Sequence, residues 1–336
     1  MGPFLPRMSF GIPSSIPKTY FLGHHHAGAN KIKSILSSIS VVLECRDFRL
    51  PLSTRNPKLE QSIAGCQRLI IYTKSDLGSD SKDARGVLRK LHGDNAVFWN
   101  KNSFESTGAL LKRLKDKARE IDSLTGLRTL VVGMPNVGKS SLLNALRNAG
   151  LPGKKAKAAK TGDQAGVTRK VGTSVRIIES EEKGGVGSGV FVLDSPGIFQ
   201  PYVEDGETMI KVALVHGIKK GLIPDEILAD YLLYRMNLWD PLIYSRYCQP
   251  SNDVDEFLTA VSKRDGKLRA GGAPNLQESA ARVLSQWRDG KLGKYVLDDL
   301  SEEALRAYEL SLAEPSLSMN QAKKAQKSER KERLAT

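Results

Sequence analysis

Residues Gly133-Met-Pro-Asn-Val-Gly138-Lys139-Ser140 match the phosphate-binding pattern G-x-x-x-x-G-K-S/T. An apolar segment, Thr129–Val132, precedes the match, and a leucine-rich stretch follows it. In this strand–loop–helix context, glycines let backbone N–H groups turn toward phosphates at the N-terminus of a helix. The sequence therefore predicts a nucleotide-binding loop with contacts from Asn136, Val137, Gly138, Lys139, Ser140 and Ser141.

A second motif, Asp194-Ser-Pro-Gly197, follows another apolar strand and has the form D-x-x-G. In nucleotide hydrolases with both motifs, the loop lysine neutralises the β- and γ-phosphates and the following hydroxyl binds Mg²⁺. Lys139 is therefore a predicted catalytic residue, and Ser140 a predicted Mg²⁺ ligand. We expect Asp194 to hold the Mg²⁺ water shell and the Gly197 N–H to contact the γ-phosphate.

A third motif, Thr73-Lys74-Ser75-Asp76, ends an apolar strand and is predicted to select the base. Guanine presents a ring N–H and an exocyclic amine that one carboxylate can accept together, whereas adenine offers no such pair. Asp76 is placed to accept both, and the Lys74 stem can cover the base plane. The usual motif is N-K-x-D, so Thr73 replaces an asparagine, which puts the rigidity of the loop in question. The predicted ligand is GTP or GDP.

Short apolar runs alternate with helix-like stretches as far as Tyr202, which favours an α/β fold with a mainly parallel sheet covered on both faces. The later residues show helical spacing instead. Strands are predicted at 41–45, 69–72, 96–99, 130–132, 175–178 and 191–193, and C-terminal helices at 207–219, 225–235, 254–261, 276–288 and 302–312. The predicted organisation is a candidate transit segment at 1–19, a nucleotide-binding domain at 20–203, a helical RNA-binding domain at 204–314 and a basic, mixed-charge tail at 315–336.

The composition indicates a polyanionic partner, because 51 lysines and arginines against 37 acidic residues give a net charge of +14. Charge alone leaves RNA, DNA and an anionic membrane surface open. Three cysteines without metal-site spacing fit a reducing compartment. The first acidic residue is Glu44, and a basic, acid-poor N-terminus is typical of an organelle transit peptide, although four prolines interrupt it.

The order of the motifs is unusual, because the Asp76 motif precedes the Lys139 loop, whereas ordinary small GTPases have the reverse order. A domain whose termini lie close together can be permuted without losing contacts. The chain resembles the YlqF/YawG family of circularly permuted GTPases. Residues 20–24 (YFLGH) are similar to the family's WFPGH, residues 47–57 to its DARxPxSxRNP, and residues 287–293 to its FRxGKLG.

The resemblance implies further site residues. Thr168 corresponds to the switch I threonine, a second Mg²⁺ ligand with a catalytic role, and Asn102 and Ser103 occupy the place of the base-contacting loop. Asn136 matches the asparagine that K⁺-activated relatives use as a ligand, so K⁺ is a candidate cofactor. His24 lies on a segment that can approach the γ-phosphate and is a candidate catalytic residue. The alternative is that the run of three histidines starting there is a solvent-exposed stretch.

Ile198 occupies the position at which many GTPases carry a water-orienting glutamine, so we expect slow intrinsic hydrolysis. The resemblance as a whole implies a circularly permuted P-loop GTPase domain followed by a smaller all-helical domain. It also implies an assembly factor that hydrolyses GTP and binds the rRNA of the mitochondrial large ribosomal subunit, not DNA. The implied location is the matrix or the matrix face of the inner membrane, with peripheral membrane association.

Two other functions stay open. The first is an RNA-binding module with a structural nucleotide and vestigial hydrolysis, which Ile198 and Thr73 favour. The second is an ATPase of nucleic-acid metabolism, which Asp76 disfavours.

Overall fold

The computed structural model describes residues 4–18, 20, 23–153, 159, 172–199, 203 and 205–313, together with positions 321, 324 and 328. Most of the predicted tail at 315–336 therefore lies outside the described residues. No helix in the described ranges is long and apolar enough to cross a membrane.

One sheet organises the N-terminal part of the chain. Its strands are β1 (Val41–Asp47), β2 (Gln67–Thr73), β3 (Ala96–Phe98), β4 (Leu127–Gly133), β5 (Val175–Ile178) and β6 (Val190–Asp194). They lie in the order β3-β2-β1-β4-β6-β5, and only β5 is antiparallel to its neighbour. All six predicted strands are present, because buried parallel strands appear in a sequence as nearly continuous apolar runs.

Helices cover both faces of the sheet, as predicted. They are α1 (Gly23–Ile35), α2 (Pro57–Ser62), α3 (Ala84–His92), α4 (Phe104–Ile121) and α5 (Lys139–Gly150). One face packs against α4 and α5 through leucines such as Leu114 and Leu142. The opposite face packs against α1, α2 and α3, where Ile32, Leu59 and Leu88 are buried. The α/β fold class is therefore confirmed, while α1 and α2 are additional helices that the sequence patterns did not predict.

The remaining helices are α6 (Gly206–Leu214), α7 (Asp225–Trp239), α8 (Val254–Asp265), α9 (Leu276–Arg288) and α10 (Glu302–Ala313). Helix α6 ends five residues before the predicted boundary because His216 takes a left-handed conformation, with φ of 63°. Its N–H donates to Ala213 and the Gly217 N–H donates to Val212, which is the Schellman arrangement that ends a helix. Helix α10 packs on the sheet domain, where the Tyr308 hydroxyl accepts a hydrogen bond from Arg46 at 2.9 Å.

An N-terminal strap, residues 4–18, packs along α7 and toward α8. The Arg7 guanidinium pairs with Asp230 at 2.6 Å, and the Phe10 ring meets Tyr231 edge to face with 5.2 Å between centroids. The strap backbone also bonds Asn252, and Ile16 is buried in the main hydrophobic core. The segment predicted as a candidate transit peptide therefore makes tertiary contacts in the folded chain.

Candidate functional site

The phosphate loop connects β4 to α5 in a conformation that requires unusual backbone angles. Gly133, Asn136 and Gly138 have φ of 140°, 58° and 96°. A Cβ on Gly133 would lie 2.3 Å from the carbonyl oxygen of Cys45, so only glycine fits there. Lys139 begins α5 and is buried, and its Nζ donates to the Met134 carbonyl at 2.7 Å. The side chain of Lys139 is thus held against the loop that is predicted to bind phosphates.

The D-x-x-G motif meets this loop because β6 lies directly beside β4 in the sheet. The Ser140 hydroxyl donates to Asp194 Oδ2 at 2.7 Å. Burial raises the pKa of Asp194 above its ordinary value, although Lys139 and Ser140 oppose the shift. Burial also lowers the pKa of Lys139, against the opposing effect of Asp194.

The donor set of Ser140 and Asp194 suits a divalent cation. Asp194 Oδ1 is buried, and no atom in the described ranges hydrogen-bonds to it. A buried carboxylate oxygen without a donor is costly, and a cation removes that cost. Carboxylate and hydroxyl oxygens are also the ligands that Mg²⁺ prefers. These two residues therefore fit the predicted Mg²⁺ site.

Gly197 and Ile198 lie directly against the phosphate loop. A Cβ on Gly197 would come within 2.6 Å of the Pro135 Cα, so a larger residue would force the two loops apart. The Ile198 N–H donates to the Gly133 carbonyl at 3.2 Å. The Ile198 side chain is only 3 % exposed and packs in the core with Ile32 and Leu193. It therefore lies in the core beneath α1 and has no group that could orient a water molecule.

The loop that is predicted to select the base, residues 73–76, is bound to the phosphate loop by two side chains. The Thr73 hydroxyl lies 2.5 Å from the Val137 carbonyl and 3.1 Å from the Arg46 carbonyl. Lys74 Nζ donates to the Asn136 carbonyl at 2.9 Å and to Asp47 at 2.7 Å. Threonine thus supplies a donor to the phosphate loop in place of the usual asparagine. Asp76 is half-buried, and its carboxylate makes no hydrogen bond or ion pair within the part of the chain described.

This contact leads to a first prediction. In Thr73→Val, the buried Val137 carbonyl loses its donor while the side-chain volume is retained, so we expect GTP affinity to fall about five- to tenfold. Thr73→Ser keeps the hydroxyl and serves as the matched control. Titration calorimetry with GTP measures both variants; equal affinity in the valine and serine variants would contradict the assigned role of the hydroxyl.

The other predicted base contacts are less closely joined to this loop. The chain after β3 does lie beside it, because the Ser75 N–H donates to the Trp99 carbonyl at 3.2 Å. Ser103, however, uses its hydroxyl to cap α4 by accepting from the Ser106 N–H at 3.0 Å. The Asn102 side chain is exposed. In the part of the chain that the structure describes, neither of these two residues hydrogen-bonds to the Asp76 loop.

The structure adds Asp47 to the site, a residue whose motif the sequence revealed but whose role it did not. Asp47 is buried and accepts from Lys74 and from Arg49, which pairs with it at 2.8 Å. Burial opposes its charge, yet these two cations hold the pKa of Asp47 well below its usual range. The Arg49 guanidinium lies 5.0 Å from the centroid of the Trp287 ring, so Asp47 links the base loop to α9.

Residues 290–297, which follow α9, contact the loop after β2 that carries Asp76. The Asp80 N–H donates to the Lys294 carbonyl at 2.9 Å, and the Lys294 N–H donates to the Asp80 carboxylate at 2.8 Å. The Val296 N–H donates to Ser81, and Gly290 lies against the Leu77 side chain. The end of the segment similar to FRxGKLG, and above all the residues that follow it, thus support the loop that carries Asp76.

Three further residues were predicted to belong to the site: Asn136, Thr168 and His24. Asn136, the candidate K⁺ ligand, donates its Nδ2 to the His216 carbonyl at 2.7 Å. Thr168 lies outside the described residues, as does the side chain of His24. The backbone of His24 belongs to the first turn of α1, and this helix passes over the D-x-x-G loop, where Gly28 contacts Pro196.

Comparisons with known proteins agree with this geometry. Residues 128–237 match the family model described as 50S ribosome-binding GTPase. The mitochondrial GTPase 1 of Schizosaccharomyces japonicus is 36 % identical over 311 residues, covering 85 % of this chain and 91 % of that protein. The mitochondrial ribosome-associated GTPase 1 of Xenopus tropicalis is 30 % identical over 320 residues, covering 88 % and 99 %.

Among solved structures, GNP-bound YlqF from T. maritima aligns with a TM-score of 0.52 at 22 % identity and covers 81 % of this chain and 97 % of its own. A GDP-bound YlqF structure aligns equally well. At this identity the alignment supports the fold, and the sequence relatives carry the assignment. With its base-selecting motif ahead of its phosphate loop, the chain belongs to the YlqF-like mitochondrial GTPase 1 family of circularly permuted GTPases and is a GTP hydrolase.

Proposed function

We propose that this GTPase acts on the large subunit of the mitochondrial ribosome, binding its rRNA in the GTP state and leaving after hydrolysis. The observation that carries the proposal is the phosphate loop, D-x-x-G loop and Asp76 loop of a GTPase, joined to a helical domain that exposes several lysines and arginines. The names of the relatives, which describe mitochondrial and ribosome-associated GTPases, support the location and the partner. The description of the matching family as ribosome-binding supports the same partner.

Exposed cations of the helical domain, rather than its overall charge, support binding to RNA phosphates, since residues 204–314 carry 14 lysines and arginines against 19 acidic residues. Lys219, Lys220, Lys263 and Arg269 are exposed, and none of them pairs with a carboxylate among the residues described. Lys267 and Lys291, in contrast, are paired with Glu278 and Asp289. Unpaired surface cations gain most from contact with a polyanion, because phosphate contacts release counterions. We therefore assign the RNA contact to these four residues.

The nucleotide chemistry follows from the residues around the phosphate loop. Lys139 neutralises charge on the β- and γ-phosphates, and the Gly197 N–H senses the γ-phosphate. Ser140 and Asp194, together with Thr168, would hold Mg²⁺, which would offset the negative charge that develops on the phosphates. The attacking water needs an orienting group that Ile198 cannot supply. In our proposal, K⁺ bound at Asn136, His24 or the ribosomal particle supplies this function.

Sedimentation tests the proposal. Full-length protein is mixed with mitochondrial large-subunit particles in the presence of GTP, GDP or a non-hydrolysable GTP analogue. We expect co-sedimentation with the analogue and release with GDP. Binding that ignores the nucleotide would favour the alternative of an RNA-binding module with a structural nucleotide. Absence of binding in all three states would reject the ribosomal role.

A second prediction concerns the rate of hydrolysis. Because Ile198 is buried and cannot orient water, we expect slow basal turnover that K⁺ raises about tenfold or more over Na⁺ at equal ionic strength. Phosphate release measured in the two salts tests this, and Asn136→Ala should remove the difference. A fast basal rate that is indifferent to the cation would contradict it.

A further inference from the structure

Helix α6 belongs to the helical domain. It follows the D-x-x-G motif in the sequence, and the residues at its C-terminal end contact the phosphate loop. In the sequence its first residue, Gly206, follows Gly197 of the D-x-x-G motif by nine positions, and Asp205 caps the helix by accepting from the Glu207 and Thr208 N–H groups. Its C-terminus returns to the phosphate loop, where the His216 carbonyl accepts from Asn136. At 1.5 Å per residue, the nine residues of α6 span about 13 Å.

Helix α6 is firmly packed in the helical domain. Met209, Ile210, Val212 and Leu214 are fully buried in the main core. The Arg288 side chain of α9 donates to the Leu214 carbonyl at 2.6 Å, so the end of α6 is also bound to α9. A displacement of α6 therefore reaches the helix next to the proposed RNA-binding residues.

The contact at the C-terminus of α6 depends on an uncommon backbone conformation. His216 occupies the left-handed position that glycine usually fills after a helix. This conformation directs its carbonyl toward the phosphate loop. Since a carbonyl can only accept, the Asn136 amide must present its nitrogen to it, which fixes the orientation of that amide.

We propose that the hydrogen bond from Asn136 to His216 couples the phosphate loop to the helical domain, so that α6 reports which nucleotide is bound. In the GTP state the γ-phosphate holds Gly197 close to Pro135, and α6 stays bound at both ends. When the γ-phosphate is lost, the D-x-x-G loop moves, pulls the N-terminus of α6 and releases the His216 carbonyl. Energetic coupling between separate sites requires an element with two alternative positions, and in this proposal that element is α6.

Hydrogen exchange in the full chain tests the proposal without the ribosome. The reporters are the His216 and Gly217 amides, which are protected only while the C-terminal cap of α6 is intact. We expect exchange at both amides to be at least fivefold faster with GDP than with a non-hydrolysable GTP analogue. In Asn136→Ala, exchange should be fast with either nucleotide. Equal exchange with the two nucleotides in the parent protein would overturn the proposal.

Substitutions at position 216 provide matched controls. Glycine and asparagine both tolerate the left-handed conformation, so His216→Gly and His216→Asn should keep the nucleotide difference. His216→Val is strained there and should remove it, because the carbonyl is redirected. The double variant Asn136→Ala with His216→Val should be no worse than either single variant, since both remove the same contact. Additive effects would overturn the assignment.

One further measurement tests whether the contact between Asn136 and His216 affects particle binding. Only this measurement depends on the proposed function. In the sedimentation assay, Asn136→Ala and His216→Val should each reduce the ratio of GTP-state to GDP-state particle affinity at least fivefold, while His216→Gly preserves it. If the protein binds no particle but the exchange difference is present, the ribosomal role fails and the coupling stands. If particle binding is nucleotide-dependent in all variants, the coupling fails.

Discussion

Asp76→Asn should weaken GTP binding by about 100-fold or more. The half-buried carboxylate has no competing partner among the described residues, so it is available for both donors of the guanine base. An amide oxygen cannot accept both donors as a carboxylate does, and each hydrogen bond to a charged group contributes about 1.5–3 kcal/mol. The same variant should gain affinity for xanthosine triphosphate, whose carbonyl replaces the exocyclic amine and can accept from the new amide.

Calorimetry with GTP, ATP and xanthosine triphosphate measures this change of specificity. Asp83→Asn is the matched control, because Asp83 is an exposed carboxylate a few residues further along with no side-chain cap hydrogen bond. It should leave all three affinities unchanged. Equal GTP and ATP affinity in the parent protein would contradict the assignment of Asp76.

Arg46→Ala should destabilise the fold by about 3–5 kcal/mol, because it removes the fully buried cation that Glu44 and Glu60 share. The Arg46 side chain is fully buried and bonds Glu44 at 2.7 Å, Glu60 at 2.6 Å and the Tyr308 hydroxyl at 2.9 Å. Coulombic and hydrogen-bond contacts with Arg46 help to keep the pKa of Glu44 lowered against the opposing effect of burial. Without Arg46, the two carboxylates would be buried together.

Urea unfolding of the nucleotide-free protein measures this effect. Arg68→Ala is the comparison, because Arg68 also faces Glu44, at 3.2 Å, but its side chain is 31 % exposed. Partly exposed ion pairs contribute little, so we expect a loss below about 1 kcal/mol there. A similar loss in the two variants would show that burial of the network does not govern its contribution.

Much of the fold could be predicted from local patterns. The strands appear as apolar runs. Helix α9 begins and ends at the predicted residues, Leu276 and Arg288, and an asparagine caps its start. Helix α1 was not predicted because histidines, glycines and alanines fill most of it and leave too few large apolar residues for a helical pattern. One of those few, Ile32, is fully buried. Its position over the D-x-x-G loop depends on tertiary packing, which no periodicity reveals.

The candidate site likewise has residues that could be predicted from the sequence and contacts that could not. Lys139, Ser140 and Asp194 could be found because phosphate and Mg²⁺ binding impose fixed residue types at fixed spacing. The contacts that connect the motifs could not be found, since Thr73 meets Val137 and Asn136 meets His216 across long stretches of sequence. Thr73 shows the limit most clearly, because its departure from the usual asparagine suggested a looser loop, whereas the structure shows its hydroxyl against the phosphate-loop backbone.

The N-terminal strap has a consequence for the order of folding. Arg7 pairs with Asp230, and its backbone bonds Asn252, so the strap docks on residues that lie more than 200 positions further along the chain. Contacts of such high sequence separation form late in folding. The strap therefore has no docking site until α7 and the chain around Asn252 have been synthesised and have folded.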